Sequence, residues 1–152
     1  MAAPVTRRAT PVFLDTNVFV YADDDDLPAK RDTARQVITD TAAAGTAVVS
    51  TQVMGEYASV ATRKLGLSPP DCRLALLAME RLAVVRVGPE HVHRALDLAV
   101  LHRVSLWDAL VVATAASAGC RRLLTEDLQE GRVLDGVRIE NPFADLGAGE
   151  RA

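Results

Sequence analysis

Short apolar runs alternate along the chain with longer stretches of helical periodicity, and this alternation restricts the fold more than any other feature. The apolar runs lie at residues 11–15, 46–50, 83–87, 123–125 and 137–139. The helical patterns occupy residues 29–44, 51–65, 69–81, 89–102 and 105–118. Strands that alternate with helices predict an α/β sandwich built around a mostly parallel sheet.

The length and composition indicate one folded domain. A chain of 152 residues suits a single hydrophobic core. Hydrophobic residues make up 49% and aromatics only 4%, so Ala, Val and Leu must form most of the core, and a disordered chain is excluded. We expect a flexible arm at residues 1–10, a domain at residues 11–143, and a flexible Gly- and Ala-rich tail at residues 144–152.

Several classes of function find no support in the sequence. The net charge of −3 gives no overall basic field of the kind that attracts nucleic acids. Cys72 and Cys120 form no CxxC pair, and His91, His93 and His102 do not fit an HExxH zinc motif. No apolar stretch is long enough to span a membrane and no signal peptide is recognisable, so we predict a cytoplasmic protein.

Four carboxylates occupy positions that a parallel sheet would bring together. Asp15 ends the first apolar run, and Asp127 follows the run at residues 123–125. Glu56 lies in the opening turns of the helix after the second run, and Asp108 lies in the first turn of a helix that begins near Ser105. Both helices must start at the carboxyl edge of the sheet to deliver the next parallel strand. All four acids are therefore expected at that edge, where such folds bind ligands.

A cluster of carboxylates without partners is unfavourable. At about 4 Å and an effective dielectric constant near 20, each pair repels by roughly 4 kcal/mol. Protons, basic partners or a hard divalent cation can relieve the repulsion. Mg²⁺ or Mn²⁺ would suit phosphodiester hydrolysis, because such ions polarise phosphoryl oxygens and activate water. Asn17 is expected to orient Asp15, and Thr16 or Thr125 to hydrogen-bond a ligating acid or a phosphate, although ordinary turn chemistry explains them as well.

Each acid also has an ordinary structural explanation. Asp108 has the spacing of a capping box at its helix start, and Glu56 near a helix N-terminus is favoured by the helix dipole. Asp127 and its neighbour Glu126 could belong to a simple turn. Asp15 is the hardest to explain in this way, because burying an unpaired charge at the end of an apolar strand is costly.

Four short motifs, taken in order, resemble the signature of PIN-domain ribonucleases. They are Leu14-Asp15-Thr16-Asn17, the lone Glu56, Trp107-Asp108-Ala109-Leu110 followed by Ala113-Thr114-Ala115, and Leu124-Thr125-Glu126-Asp127. The resemblance spans residues 11–143, and the length is similar to that of the VapC toxins of bacterial toxin–antitoxin pairs. Any one motif is weak, but the ordered set is specific.

The resemblance implies a three-layer α/β/α fold and a Mg²⁺-dependent endoribonuclease, with Mn²⁺ able to substitute. It implies a metal site formed by Asp15, Glu56, Asp108 and Asp127, with Asp15 and Asp108 on the principal ion. Glu56 would ligate directly or through water, or help to deprotonate the attacking water. Asp127 would support a second metal or bind through water, and the adjacent Glu126 leaves the identity of the fourth acid open. The resemblance further implies 5′-phosphate and 3′-hydroxyl products, a homodimer, and a cognate VapB-type antitoxin that blocks the active site.

RNA requires positive charge to meet its phosphates. The basic residues available for this role are Lys30, Arg31, Arg63, Lys64, Arg103, Arg121 and Arg122. The sequence does not select among them, because most charged side chains are simply exposed to solvent. With so few aromatic residues, base stacking is not expected to dominate recognition.

Two other functions are compatible with parts of the sequence. Asp15 could be the nucleophile of a phosphatase or phosphotransferase, but Asn17 stands where haloacid-dehalogenase-like enzymes carry a second Asp, and no fitting catalytic Lys is evident. The chain could also be a non-catalytic module that docks a partner helix on its apolar helices at residues 53–65 and 71–82.

Overall fold

The computed structural model describes residues 9–146, which form one mixed six-stranded sheet and six α-helices. The strands are β1 (Val12–Leu14), β2 (Ala47–Ser50), β3 (Ala83–Val85), β4 (Arg122–Leu124), β5 (Val133–Leu134) and β6 (Val137–Glu140). The helices are α1 (Thr16–Ala22), α2 (Pro28–Ala43), α3 (Thr51–Arg63), α4 (Pro69–Met79), α5 (Pro89–His102) and α6 (Leu106–Ser117), and a 3₁₀ helix follows at Ala144–Leu146.

The sheet has the strand order β3-β2-β1-β4-β6-β5. Every neighbouring pair is parallel except β5 and β6, which are antiparallel, so the prediction of a mostly parallel sheet is confirmed. Strand β1 lies between β2 and β4, and its Phe13 is in register with Val48 on one side and Leu123 on the other. All three residues of β1 are buried, as expected for a strand covered on both faces.

Helices cover both faces of the sheet. Helices α1 and α2 connect β1 to β2, and α3 and α4 connect β2 to β3 in the same direction, whereas α5 and α6 return across the sheet to β4. Right-handed crossovers therefore place the first four helices on one face and the last two on the other. The packing agrees, because α1 contacts α2 and α3, α3 contacts α4, and α5 contacts α6. The three-layer α/β/α fold is thus confirmed.

Most helix boundaries follow the predicted capping signals. The hydroxyls of Ser50, Ser68 and Ser105 each accept a hydrogen bond from the backbone N–H three residues later, at 3.2, 3.3 and 3.0 Å. Gly119 has a φ of +75° just beyond α6, the left-handed conformation that favours glycine at a helix end. Ser50, rather than Thr51, is the cap of α3.

The sequence pattern predicts no element over residues 16–22, and the structure places α1 there. The segment is rich in apolar and β-branched residues, so it has no helical signature of its own. The Asp15 carboxylate accepts a hydrogen bond from the backbone N–H of Thr16 at 2.7 Å and caps the helix at its first turn. Strand β5, which is only two residues long, was likewise not predicted.

The predicted arm and tail fall mainly outside the described residues. Residues 1–8 and 147–152 lie outside them, whereas Thr10 is exposed and residues 144–146 form the 3₁₀ helix. Cys72 and Cys120 are buried free thiols. Within residues 9–146 no single helix has the length and apolar character of a membrane span, and only α5 and α6 taken together, bent by 117°, meet that criterion.

Candidate active site

Asp15 lies at the carboxyl end of the central strand β1, where the direction of the connections reverses. The chain moves from β1 toward β2 and β3 on one side, and then returns to β4 on the other. Ligands of open α/β sheets bind at such a switch point, beyond the carboxyl ends of the strands. Asp15 is only 5% exposed there, and its backbone N–H donates to Leu124 O of β4 at 3.1 Å.

The Asp15 carboxylate is buried but not without partners. Its Oδ1 accepts from the backbone N–H of Thr16, and its Oδ2 accepts from the Thr125 hydroxyl at 2.8 Å. Burial raises the pKa of Asp15 to about 6, although both hydrogen bonds act in the opposite direction. The negative charges of Asp127 and Glu56 raise it further, which indicates that the three acids lie close enough to interact.

The Thr125 hydroxyl connects most of this end of the sheet. It is fully buried, donates to Asp15, and accepts from Asn17 Nδ2 at 3.2 Å and from the backbone N–H of Asp127 at 3.1 Å. Asn17 Oδ1 in turn accepts from the backbone N–H of Glu126 at 3.3 Å. Asn17 therefore orients Asp15 through Thr125 rather than by touching it directly.

Glu56 is held by two donors from different parts of the chain. Its Oε2 accepts from the Thr16 hydroxyl at 2.8 Å, and its Oε1 accepts from Gln52 Nε2 at 2.9 Å. The same Gln52 nitrogen contacts the carbonyl oxygen of Trp107 at 3.2 Å, while Gln52 Oε1 is buried with no hydrogen-bond partner. Sequence reasoning missed Gln52, although its position one turn before Glu56 on α3 is the spacing at which helical side chains meet.

Asp108 lies in the first turn of α6, as predicted, and is half-buried. Burial raises the pKa of Asp108, a hydrogen bond with Ser105 lowers it, and the charges of Asp127 and Glu56 raise it. Asp108 thus belongs both to the helix cap and to the acid cluster, so the structural and functional explanations of this residue are compatible.

The two neighbouring acids after β4 have different environments. The Glu126 carboxylate accepts from the Tyr21 hydroxyl at 2.5 Å and from Lys30 Nζ at 2.9 Å, so it is already engaged in an ion pair. Asp127 is exposed, and its charge raises the pKa values of both Asp15 and Asp108. This difference supports Asp127 as the fourth acid. Sequence reasoning did not identify the roles of Tyr21 and Lys30.

A cleft of about 650 Å³ extends from the acids along the outer part of α3. At one end it is lined by Glu56 and Asp127, together with Thr16. At the other end it is lined by Arg63 and Lys64, which are both exposed at the end of α3. The lining also includes Asp24 and Asp26, so the cleft holds two basic side chains among several acids.

Comparison with known proteins assigns the family. The sequence profile of the PIN domain family matches residues 12–133, which is most of the chain. The chain belongs to the PIN domain family. A search of curated protein sequences gives no match for this PIN domain.

Several solved structures share the fold of this PIN domain. DNA-bound VapBC from Salmonella typhimurium has a TM-score of 0.65 and 21% identity, and covers 88% of this chain and 99% of its own. A toxin–antitoxin complex from Klebsiella pneumoniae has a TM-score of 0.63 and 18% identity, and the match covers 86% of this chain and 97% of the chain in that complex. The sarcin–ricin loop cleaving toxin VapC20 from Mycobacterium tuberculosis has a TM-score of 0.58 and 19% identity, and the match covers 74% of this chain and 86% of the VapC20 chain.

Three of the seven predicted basic residues of the PIN domain have acidic partners. Lys30 pairs with Glu126, Arg31 with Asp25 and Asp32, and Arg122 with Glu140. Arg121 lines a separate pocket near Gly45 and Gly119. Arg103 ends α5 in a left-handed conformation. Of the seven predicted basic residues, Arg63 and Lys64 are those that share the cleft with Glu56 and Asp127.

The donor chemistry of the acid cluster fits a hard divalent cation. Carboxylate oxygens are the ligands that Mg²⁺ and Mn²⁺ prefer. Burial, and to a smaller extent the charges of Asp127 and Glu56, raise the pKa values of Asp15 and Asp108, and a bound cation would offset both effects. As the side chains stand in residues 9–146, no three His, Cys, Asp or Glu residues converge closely enough to hold an ion together. Ligation by Asp15, Glu56, Asp108 and Asp127 therefore stays a prediction.

Proposed function

We propose that this PIN domain is a Mg²⁺-dependent endoribonuclease that acts as the toxin of a VapBC-type toxin–antitoxin pair. The observation that carries the proposal is the buried Asp15, whose pKa is raised to about 6 at the switch point of the sheet and which interacts electrostatically with Asp127 and Glu56. The similarity to VapBC complexes and to the toxin VapC20 supports the same function.

The residues have distinct roles in the proposed reaction. Asp15 and Asp108 would hold the principal Mg²⁺, for which Mn²⁺ could substitute. Glu56 would ligate it directly or through water, and Asp127 would support a second metal or bind through water. When bound, such an ion would supply Lewis-acid chemistry, namely a lower pKa of water and stabilisation of charge on a phosphoryl oxygen. Alternatively, Glu56, fixed by hydrogen bonds from Thr16 and Gln52, would help to deprotonate the attacking water.

Positive charge for the RNA backbone comes from the far end of the cleft. Arg63 and Lys64 would contact RNA phosphates, and a cation held by the acids would supply positive charge near Glu56 and Asp127. In a chain with a net charge of −3, these two residues are the basic side chains that line the cleft beside the acids. We further propose, from the family resemblance, a homodimer in the cytoplasm and a VapB-type antitoxin that blocks the acids.

The decisive experiment is cleavage of RNA by the purified protein with Mg²⁺ or Mn²⁺, with and without EDTA. We expect EDTA, Asp15→Asn and Asp108→Asn each to abolish cleavage. Asp97→Asn is a matched control, because Asp97 is an exposed acid on α5. The Asp97→Asn protein should cleave RNA like the wild type. Undiminished cleavage by the Asp15→Asn and Asp108→Asn proteins would contradict the proposal.

The two other functions remain distinguishable. The phosphotransferase is disfavoured because Asn17 stands in place of the second Asp, and its amide is engaged with Thr125 and the backbone N–H of Glu126. Exposed Leu74 and Leu77 on α4 lie in the region expected for docking a partner helix. Calorimetry that detects no Mg²⁺ or Mn²⁺ binding, together with normal partner binding, would favour the non-catalytic module.

A further inference from the structure

One aromatic side chain differs from all the others in its environment. All six aromatic residues lie within the described part of the chain. Four of them are buried, namely Phe13, Phe19, Tyr57 and Phe143. Tyr21 is partly buried and makes an edge contact with Phe143 at 4.9 Å between ring centroids, whereas Trp107 is 65% exposed. An exposed indole leaves a flat aromatic face available for contact with another ring.

The position of Trp107 ties it to the acid cluster. It directly precedes Asp108 in the first turn of α6. Its carbonyl oxygen accepts a hydrogen bond from Gln52 Nε2, the same nitrogen that donates to Glu56. Because a single nitrogen contacts both groups, the backbone of Trp107 is held beside the Glu56 carboxylate. Other exposed apolar residues, such as Val100 and Leu101 on α5, have no hydrogen-bonded connection of this kind to the acids in the described structure.

We infer that Trp107 is a specificity-determining residue that stacks on one unpaired base of the RNA next to the scissile phosphate. The inference rests on the proposed nuclease function and names the substrate feature that this end of the site recognises. The acids repel every phosphate that is not neutralised by the cation, so an uncharged contact is the kind that can hold the strand there. A flat indole accepts any base, because every base has a π-face.

The inference restricts the substrate to RNA with an accessible base at the cut site. A base inside an A-form helix is stacked on its neighbours and cannot lie on an indole, whereas bases in loops and single strands can. One such contact also agrees with the low aromatic content, because it selects a local feature of the strand and does not form an extended stacking platform.

The single tryptophan of the chain gives a direct assay of this contact. The wild-type protein with Mg²⁺ is titrated with a short single-stranded RNA, whose phosphorothioate linkages slow cleavage, while the indole fluorescence is followed. We expect saturable quenching by this RNA, and little by a strand of equal length that has its phosphates but no bases, or by a fully paired duplex. Equal responses to all three probes, or no response to the single strand, would overturn the inference.

Kinetics with substituted proteins supplies an independent test. Trp107→Ala should raise KM for single-stranded RNA roughly ten- to a hundredfold with little change in kcat, because a base–aromatic stack is lost. Trp107→Phe should recover most of this loss. Leu74→Ala is the matched control, because it removes another exposed apolar side chain, 66% exposed on α4, and should leave KM unchanged.

The outcomes separate this inference from the proposed function. If Trp107→Ala keeps the wild-type KM while Asp15→Asn is inactive, the stacking role is wrong and the nuclease stands. If the wild type does not cleave RNA but still shows quenching that requires bases, the nuclease is wrong and the base contact stands. A Trp107→Ala protein that binds RNA normally but loses self-association in size-exclusion chromatography would assign Trp107 to a contact between copies, and would overturn the inference.

Discussion

Ionisation of Asp15 should make the cation-free protein less stable as the pH rises. The pKa of this carboxyl is raised from its usual 3.8 to about 6 in the fold, mainly because the group is buried. A group whose pKa is higher in the folded state contributes its full stabilisation below the unfolded value, and that contribution is lost as the pH rises through the folded value. The relevant window therefore runs from about 3.8 to somewhat above 6.

The size of the effect follows from the two pKa values. Each pKa unit corresponds to 1.36 kcal/mol, so a rise from 3.8 to about 6 is worth about 3 kcal/mol of unfolding free energy. Asn at this position carries no ionisable group, so its structural effect on stability does not titrate. The unfolding free energy of the wild type should therefore fall relative to that of Asp15→Asn by about 3 kcal/mol between roughly pH 4 and pH 8.

Urea unfolding in EDTA, repeated across this pH range for both proteins, measures the difference. Asp97→Asn serves as the control, because an exposed acid should give a curve parallel to that of the wild type. Added Mg²⁺ should stabilise the wild type at high pH much more than Asp15→Asn, since ligands that bind only the folded state raise its stability. A difference in unfolding free energy between the wild type and Asp15→Asn that stays constant with pH would refute the reasoning.

Three other predictions concern the surroundings of Asp15. Thr125→Val should lower the unfolding free energy by about 1.5–3 kcal/mol in urea titrations, because the buried carboxylate of Asp15 loses a hydrogen-bond donor. Thr125→Ser should keep most of the wild-type stability. An unchanged stability of Thr125→Val would contradict the role of the hydroxyl. Asp127→Asn should reduce the rate of RNA cleavage by about tenfold or more. Glu126→Gln only weakens the pair with Lys30, so it should keep most of the wild-type rate. A larger loss of rate in Glu126→Gln than in Asp127→Asn would make Glu126 the fourth acid. A plot of log K for RNA binding against log salt concentration should have a slope smaller in magnitude by about one for Arg63→Gln than for the wild type. An unchanged slope would mean that Arg63 does not contact an RNA phosphate.

The placement of the four acids near one edge of the sheet could be predicted because it depends on generic geometry. Parallel strands end at one edge of the sheet, so Asp15 and Asp127 belong there whatever the packing details are. Asp108 follows because α6 must run back along the sheet to deliver β4. The serine caps were predictable for a similar reason, since a cap is a local interaction between residues three positions apart.

The interactions that fix the acids could not be predicted in the same way. The hydroxyl of Tyr21 reaches Glu126 across 105 positions of sequence, and Thr125 reaches Asp15 across 110, distances at which no periodicity operates. Helix α1 was missed because Val18 and Val20 favour a strand locally, and only the cap at Asp15 begins the helix. Local preference was overruled there by a contact that belongs to the site itself.

The central position of β1 has a consequence for how the protein loses activity. The backbone N–H of Asp15 bonds to Leu124 of β4, so it can exchange with deuterium only when the middle of the sheet opens. Weakened packing elsewhere in the core would then lower the fraction of folded molecules before it distorted the acids. Each molecule that remains folded would turn over substrate at the full rate, and a damaged population would resemble a smaller amount of intact enzyme.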